Sequence, residues 1–211
     1  MENIEKKVGA TAEAATTRAK ANKKYIATIV GLGVMTAVVV VLQLLSSVIR
    51  FGPFSITLAL TPIIVGGALY GIWGGGWLGL VMGLTVLLSG DATAFLEVNA
   101  VGTILVVLIK GAAAGLVASL VYKAIEKKNV YPAVICAGIT APVVNTGIFF
   151  IGCLIFFMDT IREWAGQSDA IGFIFTSMIG LNFFVELAVN MALATVTVTI
   201  IGYAKKILNN R

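Results

Sequence analysis

An unbroken run of uncharged residues extends from Tyr25 to Ile49. A helix of this length, at 1.5 Å per residue, crosses a hydrocarbon core of about 30 Å. Similar runs recur along the chain, so that 59% of its residues are hydrophobic, only 12% are charged, and the mean hydropathy is +1.00. Too little polar surface remains to cover a water-soluble globule, which predicts an integral membrane protein.

Prolines, glycines and charged residues divide the apolar sequence into six predicted spans. The predicted spans are Tyr25 to Ile49, Thr57 to Ile72, Trp77 to Leu88, Val101 to Tyr122, Val130 to Met158 and Ile171 to Ala204. A turn is expected at the glycine triplet 74–76, and a polar loop over residues 159–170. The predicted fold class is therefore an all-α polytopic membrane protein with six transmembrane helices.

Basic residues indicate how these spans are oriented. They cluster before the first span, in the turn after the fourth and at the C-terminus, whereas Arg50 and Arg162 fall on the opposite side. This distribution predicts that both termini are cytoplasmic. All five tyrosines lie at the same predicted interface, as an aromatic belt would. We interpret residues 1–24 as a polar cytoplasmic tail and residues 25–211 as the membrane domain.

Two ionisable residues, Lys110 and Glu186, interrupt runs that are otherwise apolar. A charge at that depth costs roughly 2.5–3.5 kcal/mol on insertion scales and is usually turned toward a partner, a cavity or a substrate. Counting 1.5 Å per residue from the nearest tyrosine places Lys110 and Glu186 near one level with Asn145 and Asn190. Asn182, Glu186 and Asn190 recur every four residues and so share one helix face.

These polar residues support two interpretations. Lys110, Asn145, Asn182, Glu186 and Asn190 could line a solute-binding pocket open to the outside. Alternatively, Lys110 and Glu186 could form an internal salt bridge while the amides join neighbouring helices. The pocket is the favoured prediction, because buried membrane charges are more often functional.

The sequence gives no support for an enzyme, a metal site or a cofactor. It contains no histidine that could act as a general base and no GxSxG elbow. It also has no GxxxxGK[ST] loop, so this chain is not expected to hydrolyse ATP. Cys136 and Cys153 lie in one apolar stretch without metal-ligand spacing, which favours inert buried thiols. Any energy for uphill transport must therefore come from an ion gradient or from partner subunits.

The run from Leu60 to Gly71, LTPIIVGGALYG, precedes a glycine-rich turn. Together with the size, the six spans, the two short helices in second and third place and the basic loop after the fourth span, it resembles the substrate-binding S component of energy-coupling factor (ECF) transporters. The resemblance covers the chain from about Tyr25 to the C-terminus. It implies a vitamin-binding subunit in the plasma membrane of a prokaryote, which works with a shared transmembrane coupling subunit and two cytoplasmic ATPases.

The resemblance also implies where the partner and the solute bind. In that family small residues on the first helix contact the transmembrane subunit, and the matching pairs here are Ala27 with Gly31 and Gly33 with Ala37. The resemblance leaves the identity of the vitamin open. A vitamin with a carboxylate, such as pantothenate, is preferred if Lys110 pairs with the substrate. The competing functions are an ion-coupled secondary transporter and a non-transporting structural or assembly protein of the membrane, and the absence of a visible internal repeat counts against the first.

Overall fold

The computed structural model describes residues 1–48, 50–51, 54–55, 57–166 and 169–209. Within these ranges the chain is helical apart from turns and two short strands, β1 (Arg50–Phe51) and β2 (Phe54–Ser55), which pair antiparallel. The helices are α1 (Glu2–Val48), α2 (Leu60–Tyr70), α3 (Ile72–Leu88), α4 (Thr93–Leu96), α5 (Ala100–Ile125), α6 (Val130–Gly152), α7 (Met158–Ala165), α8 (Ala170–Phe173), α9 (Leu181–Ala192) and α10 (Ala194–Asn209). Two π-helical segments, Cys153–Phe157 and Ile174–Gly180, join α6 to α7 and α8 to α9.

Four segments of the described chain are long and apolar enough to cross a membrane. They are Thr17–Val48, Ala100–Ile125, Val130–Ala165 and Ala170–Ala192. The shorter apolar helices α2 and α3 have 11 and 17 residues, so α2 measures roughly 17 Å along its axis. This confirms the all-helical prediction and four membrane-spanning candidates, whereas spans formed by α2 and α3 stay a prediction.

The boundary predicted between residues 24 and 25 falls inside a helix. α1 continues without interruption from Glu2 to Val48. Its apolar C-terminal part leads to the β1–β2 hairpin, in which Arg50 is in register with Ser55 and Phe51 with Phe54. The hairpin and Thr57 therefore lie between the C-terminal end of α1 and the start of α2.

The turn predicted at the glycine triplet was wrong by a few residues. The chain turns at Gly71, whose φ of 87° lies in the left-handed region that glycine tolerates. The triplet lies inside α3, where a Cβ on Gly75 would meet the Gly115 carbonyl oxygen at 2.7 Å. Gly75 and Gly76 are therefore needed for close packing against α5, and the third helix begins at Ile72 instead of Trp77.

The polar loop predicted over residues 159–170 was also wrong over its first half, which forms α7. Ile161 and Ala165 turn inward and are buried, whereas Asp159 and Arg162 are exposed and form an ion pair at 3.0 Å. An amphipathic helix of this kind satisfies its backbone hydrogen bonds while keeping its charges in water. The local charge density that suggested a loop belongs to the exposed face of a helix.

The last apolar stretch is divided, although it was predicted as one span over Ile171 to Ala204. A π-helical segment precedes α9, and α9 ends at Ala192 before α10 begins at Ala194. The fourth predicted span is longer than expected, because α5 continues past Tyr122 to Ile125. Lys123 therefore lies in the last turn of α5 instead of in the predicted basic turn, and Lys205 lies within α10.

A cluster of polar side chains joins the C-terminal ends of α5 and α10. The Lys205 ammonium donates hydrogen bonds to the Tyr122 hydroxyl at 3.2 Å and to the Glu126 carboxylate. Tyr122 is fully buried, so it packs in the core and does not face lipid, whereas Tyr25 and Tyr203 are each 68% exposed. Burial alone would raise the pKa of Glu126, but the hydrogen bond and charge of Lys205, with the charge of Lys123, hold it below its ordinary value.

Candidate functional site

A cavity of about 800 Å³, its open mouth included, lies between the helices at the end opposite the Glu126 cluster. α1, α5, α6 and α9 supply most of its polar lining, and the loops before α2 and after α3 complete it. The polar residues are Gln43, Thr57, Asp91, Thr103, Lys110, Asn145, Thr146, Asn182 and Glu186. The aromatic residues are Phe95, Phe149, Phe157 and Phe183.

Lys110 reaches the cavity from the middle of α5. Its ammonium lies 5.2 Å from the centroid of the Phe149 ring, on α6, which is within the range of a cation–π interaction. The next residue, Gly111, packs directly on Gly79 of α3. The depth of the ammonium is therefore set by a tight helix contact on one side and by an aromatic ring on the other.

Glu186 faces the same cavity from α9 and is 5% exposed. Its Oε1 accepts a hydrogen bond of 3.0 Å from the backbone N–H of Thr57. Its Oε2 is buried and has no hydrogen-bond partner among the described residues. The same part of the chain shows no ion pair between Glu186 and Lys110, so the internal salt bridge considered from the sequence is not formed there.

Three carboxamides bring further unpaired acceptors to the cavity. The side-chain carbonyl oxygens of Gln43, Asn145 and Asn182 are buried without a hydrogen-bond partner in the described chain. Gln43 is 1% and Asn145 is 5% exposed. An unsatisfied buried acceptor costs about 1–3 kcal/mol, and buried polar groups in native proteins are normally paired. The cavity therefore holds hydrogen-bonding capacity that the protein itself does not use.

Asn190 lies apart from the cavity, although it shares a helix face with Asn182 and Glu186. Its side-chain carbonyl accepts a hydrogen bond of 2.8 Å from the Thr61 hydroxyl, and it is 6% exposed. This bond joins α9 to α2 one turn beyond Glu186. The structure thus brings four of the five predicted site residues to one cavity and gives the fifth a partner in a neighbouring helix.

Several cavity residues were missed by the sequence argument. Thr57 contributes a backbone N–H, which leaves no signal in the side-chain pattern. Asp91 was visible only as part of a polar loop. The aromatic residues pack edge to face around Phe95, with centroid distances of 5.7 Å to Phe149 and 4.7 Å to Phe157. They are common apolar residues in a membrane helix, and Phe157 joins this group from the end of the π-helical segment after α6.

The small residues on α1 fall on different faces. A Cβ on Gly31 would collide with the Tyr70 side chain, so Gly31 packs inside the molecule. A Cβ on Gly33 would meet nothing within 4 Å, and Ala37 is exposed. Ala27, one turn before Gly31, is partly buried. The two predicted partner-interface pairs are therefore not equivalent in this structure.

Comparison with protein families gives a match to the family described as ECF transporter, substrate-specific component, over residues 27–201. The chain belongs to this family. The match excludes the whole polar N-terminal segment, residues 1–24, and covers every described residue that lines the cavity. No curated protein and no solved structure matches the chain. The resemblance seen in the sequence is thus confirmed at the level of the family.

Family membership fixes the general class of this S component. Such subunits bind substrate without catalysing a reaction, and together with the four candidate spans this supports a multi-pass protein of the plasma membrane. Membership also implies a small solute and association with transmembrane and ATPase subunits. The cavity, with its unpaired acceptors and its single lysine, is the candidate site for that solute.

Proposed function

We propose that this S component captures a vitamin or similar micronutrient from the extracellular side. It delivers the solute together with a shared transmembrane coupling subunit and two cytoplasmic ATPases. All six apolar helical segments span the bilayer, and both termini lie in the cytoplasm of a prokaryotic cell. Lys110, Asn145, Asn182 and Glu186 bind the solute, and Gln43 and Thr57 complete the site.

The observation that carries this proposal is the set of polar groups that share one cavity inside an otherwise apolar bundle. Ligand sites are concave and mostly apolar, with a few polar groups that fix orientation. Charged residues within membrane helices mark substrate pathways more often than structural contacts. Lys110 and Glu186 fit this pattern, because both reach the cavity and neither pairs with the other in the described chain.

The direction of capture is supported by the distance between the cavity and the basic helix ends. Glu126, directly after the end of α5, follows Lys110 by 16 residues, which is roughly 24 Å along the helix axis. Lys123, Lys205 and Lys206 lie near that distant end, and basic residues favour the cytoplasmic side. A cavity at the opposite end would then open outward.

The exposed side of α1 is the surface proposed for the transmembrane partner. Gly33 and Ala37 lie on this side, and a Cβ at Gly33 has open space around it. Small residues let two membrane helices approach closely. Gly31 packs against Tyr70, so the pair Gly33 and Ala37 is favoured over Ala27 and Gly31 for the contact between subunits.

The proposal is tested by purifying the tagged full chain from its native membranes. We expect a transmembrane protein and two ATPases to co-purify, and mass spectrometry to detect one small molecule released on denaturation. Gly33→Trp should lose the partners and keep the molecule, because the large ring blocks a contact outside the cavity. Gly202→Trp is the matched control, since a Cβ at this exposed position on α10 also meets nothing within 4 Å. Persistent absence of every partner from the wild-type preparation would refute the proposal.

A further inference from the structure

Among the described residues, the fully buried side-chain atoms along the cavity wall that lack a hydrogen-bond partner are four oxygens. They are Gln43 Oε1, Asn145 Oδ1, Asn182 Oδ1 and Glu186 Oε2. They come from three helices, α1, α6 and α9, and so face the cavity from different directions. An amide can exchange its oxygen and nitrogen by a rotation of its plane, but a carboxylate presents oxygen in either orientation. At Glu186, therefore, the unpaired oxygen is complementary to a hydrogen-bond donor on the ligand.

The formal charges of the lining favour the same kind of ligand. Two carboxylates, Asp91 and Glu186, face the cavity, and Lys110 is the cation among its described lining residues. The Lys110 ammonium already lies over the Phe149 ring. A ligand with a net negative charge would therefore meet more negative than positive charge, in a medium where water screens poorly.

The apolar part of the cavity combines four phenylalanines with aliphatic side chains such as Val106 and Ile179. Phe95 packs edge to face with Phe149 and Phe157, and Phe183 lies on the same wall. Aromatic rings prefer such edge-to-face or offset arrangements, which a flat ligand ring can extend. A ligand without a ring would leave the faces of these phenylalanines without such a partner.

We propose that the cavity takes a small aromatic molecule with a cationic amine or several N–H and O–H donors and without net negative charge. Its donors meet the buried oxygens of Glu186, Asn145 and Gln43, and its ring lies among the phenylalanines. This inference rests on the proposed solute-binding function and replaces the carboxylate preference that Lys110 alone suggests. The decisive contact is a donor from the ligand to Glu186 Oε2.

Two fragments that differ in one group test this inference. Tyramine and 3-(4-hydroxyphenyl)propionate share a phenol ring and a two-carbon chain, which ends in an ammonium in the first and in a carboxylate in the second. Both are titrated into the detergent-purified full chain at up to millimolar concentration, and binding is followed by ligand-observed NMR. We expect tyramine to bind at least about tenfold more tightly, a free-energy difference of about 1.4 kcal/mol.

A matched pair of variants locates the contact. Glu186→Gln keeps an oxygen for the Thr57 N–H but replaces the unpaired oxygen with an NH₂ donor, and should weaken tyramine binding by about tenfold or more. Glu97→Gln removes the same charge from an exposed residue outside the cavity and should leave both affinities unchanged. Equal or tighter binding of the acid, no binding of either fragment, or an unchanged affinity in Glu186→Gln would overturn the inference. Co-purification of the partner subunits in the same preparation separates failure of this ligand class from failure of the proposed function.

Discussion

The α3–α5 contact and the cavity lie side by side along α5 and are built from opposite kinds of residue. At the contact, Gly75, Gly79 and Gly83 of α3 face Gly111 and Gly115 of α5, and their missing side chains let the two backbones touch. At the cavity, aromatic, aliphatic and amide side chains surround a space of about 800 Å³, its open mouth included. Close backbone packing has almost no freedom to rearrange, whereas a wall of side chains can adapt to a ligand.

The helices around the two regions differ in the same sense. α3 and α5 are regular along their whole length. The helices beyond α6 are interrupted by the π-helical segments Cys153–Phe157 and Ile174–Gly180, and residues of both segments line the cavity. π-helical insertions are frequent at functional sites, where they redirect side chains. The regular pair therefore holds Lys110 at a fixed depth, and the irregular helices shape the space opposite it.

The largest effect is expected from breaking the rigid side. In Gly79→Ala the new methyl group would collide with the Gly111 carbonyl, and overpacking of this kind costs about 3 kcal/mol. For a chain of this size each kcal/mol shifts the thermal midpoint by about 2–4 °C, so a loss of roughly 6–12 °C is expected in detergent. Gly202→Ala is the control, because its methyl group would meet open space. Equal midpoints for the two variants would show that the contact is not tight.

The next effect tests the adaptable side. Asn145→Ala and Glu186→Ala should each weaken binding of the co-purified molecule by about tenfold or more, which corresponds to about 1.4 kcal/mol. The reason is that each removes a hydrogen-bonding group from the cavity wall without touching the α3–α5 contact. Affinity is measured by calorimetry on protein first freed of its ligand, and insertion is checked by size-exclusion profile. Glu97→Ala controls for loss of an acidic side chain outside the cavity, and unchanged affinity in both cavity variants would contradict the site.

A smaller effect is expected at the far end of α5, where Glu126 bonds to Lys205. The pKa of Glu126 is lowered from its ordinary value of 4.5, so the bond stabilises the fold above that pH and its contribution is lost as pH falls through the lowered pKa. Glu126→Gln should lower the thermal midpoint by about 2–4 °C at neutral pH, for a pair worth about 1 kcal/mol. The difference from wild type should disappear in acid.

Exposed Glu163 on α7 provides the control for that experiment. Glu163→Gln should leave the midpoint near that of the wild type across the same pH range. A pH-independent difference in Glu126→Gln would instead indicate that the carboxylate acts only through its shape.

The smallest effect concerns the bond between Asn190 and Thr61. A double-mutant cycle with Asn190→Ala and Thr61→Val should give a coupling of about 0.6 kcal/mol in the free energy of unfolding, the average for polar contacts between membrane helices. The measurement sharpens the comparison, since Asn190 shares a helix face with Glu186 but lies outside the cavity. A coupling energy near zero, combined with a large loss of ligand affinity in Asn190→Ala, would show that Asn190 belongs to the binding site.

The sequence was informative wherever one physical rule dominates. Helix length follows from the hydrocarbon thickness, so the apolar runs predicted the main helices. The fixed rise per residue placed Lys110, Asn145 and Glu186 near one depth, and all three line the cavity. Asn190 lies at the same predicted depth but has a different role. Depth along a helix does not specify the direction in which a side chain points.

Other features depended on contacts between distant segments. The glycine triplet in α3 was interpreted as a turn, since nothing local distinguishes a glycine that bends the chain from one that faces another helix. The break instead falls at Gly71, where φ is positive. Asp159 and Arg162 suggested a loop because their ion pair and the buried Ile161 beneath them become visible only when α7 is folded.

The hydrogen bond between Thr57 and Glu186 joins two segments separated by 129 positions in the chain. Its donor is a peptide N–H, which every amino acid except proline supplies. The Thr57 side chain also interacts with Glu186, so only the backbone part of this contact is independent of the residue type. Proline at this position would remove the donor while leaving Glu186 in place, and would separate what the loop contributes to the site from what the helix contributes.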